Sequence, residues 1–249
     1  MGNLIKFEFR KLFKSKSLYI CLAVCLGLIL LGGLTTKVII ENVEGDIDLP
    51  SKYTMLQGAI SSASVTLIAG IFTALFVCED ETSGTIKNIY AKGYSRGRVF
   101  ISKYIASLVA ILIFTLGSML IAYMFGSSTW PNATASVNNL FLDIIGQVIL
   151  VIAYHSIFFA ISSKLGKTGS SIAFNIVGPM LVSMVLTMAD AFLKLDNFKL
   201  SSYWIDSLLT NLGQTTVTNQ NITTAIVMGI IYSVLFVGVG FTLNKKKEI

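Results

Sequence analysis

Residues 99–125 read VFISKYIASLVAILIFTLGSMLIAYMF, an apolar run with a single charged side chain, Lys103. A helix needs about 20 mostly apolar residues to cross a bilayer's hydrocarbon layer, so this run is long enough to span. Five further runs share its length and apolar composition: 18–36, 60–77, 140–162, 171–189 and 223–243. None shows the alternation of apolar and polar residues that is typical of barrel strands. The sequence therefore predicts an all-α integral membrane protein with six transmembrane helices.

The overall composition agrees with this class. Apolar residues make up 54% and charged residues 13% of the 249 residues, and the mean hydropathy is +0.75, whereas soluble domains carry about a quarter charged residues. Without a low-complexity linker, we expect one transmembrane domain over residues 1–249. The net charge of +6 suits a surface near anionic membrane lipid and requires no nucleic acid.

The distribution of Lys and Arg predicts the orientation. Basic residues concentrate in the N-terminal segment, in the second and fourth connections between runs, and in the tail, whereas the other connections are mainly acidic. Because loops rich in Lys and Arg stay on the cytoplasmic side, both termini are expected in the cytoplasm.

The N-terminal segment, residues 1–17, has an amphipathic pattern. Ile5, Phe9, Leu12 and Phe13 share one helical face, and basic residues occupy another. This pattern predicts a helix lying in the membrane interface. The alternatives are a cleavable signal peptide and a plain basic flank, but the following apolar run is longer than a signal core.

The second connection, residues 79–98, reads EDETSGTIKNIYAKGYSRGR and is the most charged part of the chain. Its acids suit a helix start, since acids favour a helix N-terminus, and Gly84 permits a tight turn. We expect a short helix from Lys87 to Tyr90, ended by Gly93. The simpler alternative is a solvated charged loop.

Residues 190–222 form an outer connection that is unusually apolar for a loop. One or two short helices, dipping into the outer leaflet with Tyr203 and Trp204 at the interface, are expected here. In the fifth run, Pro179 predicts a kink, with the Asn175 side chain satisfying the freed backbone groups. This kink is either a packing feature or a flexible point on a translocation path.

Several other functions find no support in the residues. His155 is the only histidine, so we expect a neutral, hydrogen-bonded packing residue and no metal cluster or protease site. The GKT sequence at 166–168 lacks the Gly that a phosphate-binding loop needs at 161, which is Ile. We therefore expect no catalytic residue, cofactor or metal in this chain, and two glycosylation-like triplets at 132–134 and 221–223 are interpreted as chance matches.

Two stretches carry a resemblance to a known family. Residues 7–16 read FEFRKLFKSK, and residues 81–87 read ETSGTIK, followed by GYSRGR at 93–98. With six spans, they resemble the permease subunits of type-2 ABC exporters (ABC-2). Among these they are most similar to small bacterial permeases for export of, or immunity to, antimicrobial or cytolytic peptides. The resemblance covers the whole chain in topology but only these stretches in residues.

The resemblance implies an elbow helix at 1–17, a coupling loop at 79–98 and outer gate helices at 190–222. It implies a bacterial cell membrane complex of two permeases, identical or homologous, with two separate ABC ATPase subunits that bind ATP and Mg. The cargo would be an amphipathic peptide or a lipid-like molecule. The residues implied for ATPase contact are Glu81, Thr82, Gly84, Thr85, Ile86 and Lys87, and those for gating are Asn175, Pro179, Tyr203 and Trp204.

Other functions stay open. The chain could anchor an ATPase or act as its sensor without transport, or export lipids, drugs or ions. A secondary transporter would need acids at mid-membrane for ion coupling, and Asp143 and Asp190 both lie near the expected outer boundary.

Overall fold

The structure is a computed structural model that describes residues 2–42, 49–133, 139–193, 199–214 and 217–245. Within these ranges the chain is helical, with no strand. The long helices are α2 (Lys16–Asn42), α3 (Lys52–Ser61) with α4 (Ala63–Thr82), α6 (Arg96–Thr129), α7 (Leu140–Leu165), α8 (Thr168–Leu193) and α10 (Asn219–Lys245). The short helices are α1 (Gly2–Lys14), α5 (Thr85–Ala91) and α9 (Ile205–Leu212), with a 3₁₀ turn at Leu200–Tyr203.

The six predicted spans are confirmed as helices. Six helical segments are long and apolar enough to cross a membrane, as expected of a multi-pass membrane protein. Each is longer than its apolar run, because a helix continues into the polar flanks while its backbone hydrogen bonds are satisfied. The second span also has a break that was not predicted: Ser62 is extended, with φ −65° and ψ 138°, and separates α3 from α4.

The bundle has two ends, named here after the short helices found there. The α5 end holds α1, α5, the start of α6 and the end of α10; Arg96 donates to the Lys245 carbonyl at 3.3 Å there. The α9 end holds α3, α9 and the 3₁₀ turn. Between them, α7 packs against α4, α8, α9 and α10 and is the most buried span, whereas α8 is the least buried.

Close helix packing around α7 depends on small residues. A Cβ on Gly229 of α10 would lie 2.7 Å from the Ile149 side chain of α7. Small residues let helix backbones approach closely in membranes, where packing rather than exclusion from water drives association. Gly229 therefore fixes how near α10 lies to α7.

His155 lies at the centre of the bundle. Its side chain is fully buried, and its ring nitrogens hydrogen-bond to Thr73 Oγ1 and Ser107 Oγ, both at 3.2 Å. These contacts join α7 to α4 and α6. The prediction of a hydrogen-bonded packing histidine is confirmed.

The prediction that the Asn175 side chain satisfies backbone groups freed by Pro179 is wrong. Its Nδ2 donates to the Gly70 carbonyl of α4 at 2.9 Å and to Ser162 Oγ of α7 at 3.1 Å, and not to backbone groups near Pro179. The two hydrogen bonds of Asn175 therefore join α8 to α4 and α7. The helix α8 is continuous through Pro179. The kink itself stays a prediction.

The outer connection folds partly as expected. Residues 199–214 form the 3₁₀ turn and α9, and Asp190 accepts hydrogen bonds from the backbone N–H groups of Leu200 and Ser201 at 2.7 and 2.9 Å. Residues 194–198 and 215–216 of the predicted 190–222 segment lie outside the described residues. The apolar face of α9 is buried against the bundle, and its position in the outer leaflet stays a prediction.

Candidate functional site

The site is built on the last turn of α4, which corrects one expectation. Glu79, Asp80 and Glu81 were expected to begin a helix, but α4 continues to Thr82, so these acids lie at its C-terminus. A helix C-terminus carries partial negative charge and disfavours acids. The arrangement therefore needs a source of positive charge, which α1 and α6 supply.

Asp80 receives that charge from two lysines. Its carboxylate lies 2.7 Å from the Lys11 ammonium of α1 and 2.5 Å from the Lys103 ammonium of α6. Lys11 also lies 3.0 Å from Glu79. The Asp80 and Lys103 side chains are each 5% exposed. Lys103, the one charged residue of the apolar run 99–125, is thus buried beside Asp80 within the bundle.

Lys11 is a charged group in a partly apolar setting. Its ammonium lies 5.1 Å from the centre of the Phe76 ring. Burial alone would lower the pKa of Lys11, but the attraction of Asp80 and Glu79 outweighs burial and holds that pKa above its ordinary value. Lys11 is therefore held in its charged form.

Glu8 completes this group of charges. It lies on the buried face of α1 between Leu4 and Leu12, is fully buried, and neither carboxyl oxygen has a hydrogen-bond partner among the described residues. Burial raises the pKa of Glu8, and the charge of Lys103 is the largest influence that opposes this rise. Of the face predicted to lie in the membrane interface, Leu12 is buried against the bundle, Ile5 and Phe9 are half-buried, and Phe13 is 48% exposed; the interfacial position of α1 stays a prediction.

The turn after α4 follows the sequence prediction closely. The Ser83 N–H donates to the Glu79 carbonyl at 3.0 Å, and Gly84 adopts φ +72°, a left-handed conformation that glycine tolerates best. The helix α5 then runs over Thr85–Ala91, two residues earlier than expected at its start, and Gly93 follows with φ +82°.

The helix α5 has one face fixed to the bundle and one face outside it. Ile89 packs against Leu4 of α1 and Val99 of α6. Thr85, Lys87 and Asn88 are exposed. The α5 helix therefore has a polar exposed face and an apolar face that packs on two other helices.

The six predicted contact residues lie together on this turn. Thr82, Gly84, Thr85 and Lys87 are exposed, and Glu81 and Ile86 are half-buried. Beside them, a groove of about 410 Å³ separates α1 from α5. Its walls are formed by Asn3, Leu4, Phe7, Thr85, Asn88, Ile89, Lys92 and Tyr94.

The predicted gating residues lie elsewhere, in two places. Asn175 and Pro179 are on α8 beside α4. Trp204 is buried and packs edge-on against Tyr232 of α10 at 5.8 Å, and the Tyr232 hydroxyl donates to the Tyr203 carbonyl at 3.2 Å. The structure does not bring these two pairs into contact with the α4–α5 turn.

One cluster of buried polar side chains was not predicted from the sequence. Gln57 of α3 donates to the Leu212 and Gln214 carbonyls at 2.5 and 2.9 Å, and Gln147 of α7 donates to Leu212 at 3.1 Å and to Asp143 at 3.3 Å. These bonds satisfy carbonyls at the end of α9. The available signal was the spacing of Asp143 and Gln147, four apart in an apolar run, which places both on one helix face.

The described residues at the α5 end form contacts between helices and no metal site. Among the described residues, no three His, Cys, Asp or Glu side chains lie close enough to hold a metal ion. The α5 helix packs on α1 and α6 through Ile89, and the end of α4 just before it is joined to α1 and α6 by the ion pairs of Asp80.

Comparison with known proteins gives one match. A family described as "Protein of unknown function (DUF2705)" matches residues 45–249. No curated protein matches the chain. The matched part includes the α4–α5 turn and all helices from α3 onward, but not α1 or α2.

Proposed function

We propose that this chain, which belongs to the DUF2705 family of proteins of unknown function, is the transmembrane permease subunit of an ATP-driven exporter. A separate ABC ATPase subunit would bind ATP and Mg and hydrolyse the ATP. The cargo would be an amphipathic molecule, in the first place a peptide, moved out of the cell or out of the inner leaflet.

The α5 helix is the observation that carries this proposal. It is short, polar and exposed on one face, and its other face is fixed by Ile89 to Leu4 and Val99. The residues just before it are tied to α1 and α6 through Asp80. A solvated loop needs no such base, whereas a helix that transmits force does.

The residues around the GKT sequence at 166–168 support the proposal of a separate ATPase. Gly166 ends α7 in a left-handed conformation, with φ +66°, and α8 begins at Thr168. A phosphate-binding loop instead connects a strand to a helix and carries an additional glycine. ATP hydrolysis is therefore assigned to another chain.

The proposed assembly contains two permeases, identical or homologous, and two ATPases in a bacterial cell membrane. Both termini are cytoplasmic, α1 is an elbow helix in the inner interface, and the 3₁₀ turn and α9 form the outer gate with Tyr203 and Trp204. ATP-driven closure of the ATPases would push both α5 helices and rock the permeases from inward to outward access. ATP shifts this equilibrium only if the ATPases bind one state better.

Site-specific crosslinking tests the proposed contact. A photo-activated amino acid at Lys87 is expected to crosslink an ABC ATPase in native membranes, with a yield that changes when ATP is added. The same amino acid at Thr210, exposed on α9 at the other end of the bundle, is the matched control. An ATPase adduct at both positions, or at neither, would contradict the assignment of α5.

Transport by the purified complex separates an exporter from an anchor. Proteoliposomes that hold the chain and the crosslinked ATPase are expected to lose an added cationic peptide from the face that carries the ATPase when ATP is supplied. ATP hydrolysis without movement of peptides, lipids or drugs would instead indicate a non-transporting anchor or sensor.

A further inference from the structure

A second site lies far from α5. An open cavity of about 250 Å³ is lined by residues of α4, α7, α8 and α9. Phe158 and Ile176 give it apolar walls. Leu67 and Met180 also line it and are 42% and 68% exposed on the outer surface of the bundle. A molecule dissolved in the bilayer therefore reaches this cavity from the side.

The hydrogen-bond donors of the polar side chains at the cavity are already bonded to other groups of the protein. The Tyr154 hydroxyl donates to Asp206 at 3.2 Å, and the Thr66 hydroxyl donates to the Ala63 carbonyl at 3.0 Å. The Asp206 carboxylate has only acceptors when ionised. Each of these groups can still accept a hydrogen bond, and none has a spare donor.

Asn175 adds an acceptor that is left without a partner. Both bonds of its Nδ2 go to neighbouring helices, to Gly70 and Ser162. Asn175 is only 2% exposed. Its Oδ1 is buried and has no hydrogen-bond partner among the described residues. A buried polar atom of this kind costs free energy unless something bonds to it.

The cavity thus combines apolar walls and several hydrogen-bond acceptors with the carboxylate of Asp206, an exposed residue, and none of the described residues that line it is positively charged. An ammonium group is the complementary ligand, since it has three donors and no acceptor. Tyr154 and Phe158 stack with their ring centres 5.5 Å apart, and aromatic faces also attract cations.

We propose that this cavity binds a cationic amphiphile: an alkylammonium group that bonds to Asp206 and Asn175, on an apolar chain that lies against Phe158. A lysine side chain of an amphipathic peptide and a small membrane-soluble amine share this chemistry. Binding as such is independent of ATP. The assignment of the cavity as the cargo site rests on the proposed export function.

Binding is measured on the full chain in phosphatidylcholine nanodiscs without any ATPase, after subtracting uptake by empty nanodiscs. The probe is radiolabelled dodecylamine, compared with dodecanol and dodecanoate of equal chain length. Saturable binding of dodecylamine is expected to be at least about tenfold tighter than that of dodecanol, because hydrogen bonds to charged groups stabilise by that order.

Three variants separate the cavity from general charge effects. Asp206→Asn and Ala63→Leu, which fills space at the cavity wall, should each weaken dodecylamine binding by about tenfold or more. Glu41→Gln, an exposed carboxylate outside the cavity, should leave it unchanged. Equal binding of dodecylamine and dodecanol, or equal binding by the parent chain and Asp206→Asn with an unchanged melting temperature, overturns the proposal.

Displacement by an amphipathic Lys/Leu peptide identifies the source of the ammonium. Displacement that is lost in Asp206→Asn assigns the site to peptide lysines; binding of dodecylamine alone assigns it to small amines. Since no ATPase is present, these results stand apart from the crosslinking at Lys87. Either proposal can fail without the other.

Discussion

The Asp80 carboxylate and the Lys103 ammonium lie 2.5 Å apart, and each side chain is only 5% exposed. This contact joins the last turn of α4 to α6, and Lys11 joins the same carboxylate to α1. Because α4 ends at Thr82, two residues after Asp80, these contacts fix the end of α4 from which the turn to α5 begins. Buried ion pairs do not by themselves raise stability, but they are costly to break, and so they fix geometry.

Breaking this contact should destabilise the protein strongly. Asp80→Asn leaves two lysine ammoniums without their shared carboxylate, and a buried charge that loses its partner costs about 3–5 kcal/mol. The free energy of unfolding, measured by denaturation in mixed micelles, is expected to fall by this amount. Glu41→Gln breaks the exposed pair with Lys37 and should cost less than about 1 kcal/mol. Equal losses would show that water screens Asp80.

Glu8 should make stability depend on pH. Because burial holds the pKa of Glu8 above its ordinary value of 4.5, the folded chain keeps this proton in a range where the unfolded chain has released it. Stability from the bound proton is complete below pH 4.5 and is lost as the pH rises through the folded pKa. The lysines at 11 and 103 oppose this shift, and Glu79 and Asp80 reinforce it.

Glu8→Gln removes that dependence, since the amide does not ionise. Melting temperatures measured from pH 4.5 to neutral should show the variant gaining stability relative to the parent chain as the pH rises. Glu41→Gln, at an exposed site, should follow the parent chain. Parallel curves for Glu8→Gln and the parent would mean that Glu8 is ionised in the folded state.

Asn175 and Pro179 should differ in importance, although they are four residues apart. Asn175→Leu removes bonds to Gly70 and Ser162 and leaves the Gly70 carbonyl of α4 without this donor, at a cost of about 1–3 kcal/mol. Pro179→Ala restores a backbone N–H in a helix that is already continuous, so it should be neutral or stabilising. Unfolding in micelles measures both. A larger loss for Pro179→Ala would assign the structural role to the kink.

The sequence predicts the helices well because apolar length is a local property. The run 140–162 and the helix Leu140–Leu165 begin at the same residue. The break at Ser62 could not be predicted, since it lies where α3 meets the end of α9. A Cβ on Gly213, at the end of α9, would collide with the hydroxyl of Ser61. The turns at Gly84 and Gly93 were predictable from the sequence, because glycine adopts a positive φ more readily than other residues.

The candidate site was predictable in part for the same reason. The exposed residues of the α4–α5 turn could be predicted from its local sequence, but the ion pairs beneath it could not. Asp80, Lys11 and Lys103 are far apart in sequence, and only the packing of the helices brings them together. The basic residues of a loop flank look alike in sequence, whether they end buried as Lys103 or exposed as Lys87. The cavity at Asp206 likewise depends on four helices meeting.

Stimulated ATP hydrolysis tests most directly whether α5 transmits the work of an ATPase, as proposed. In proteoliposomes with the crosslinked ATPase, Thr85→Trp with Lys87→Ala should reduce the hydrolysis stimulated by the permease about tenfold or more, as expected for a central contact. Lys37→Ala, an exposed lysine at the other end, should not change it, and melting temperatures should match. Unchanged stimulation in the α5 variant would contradict the account.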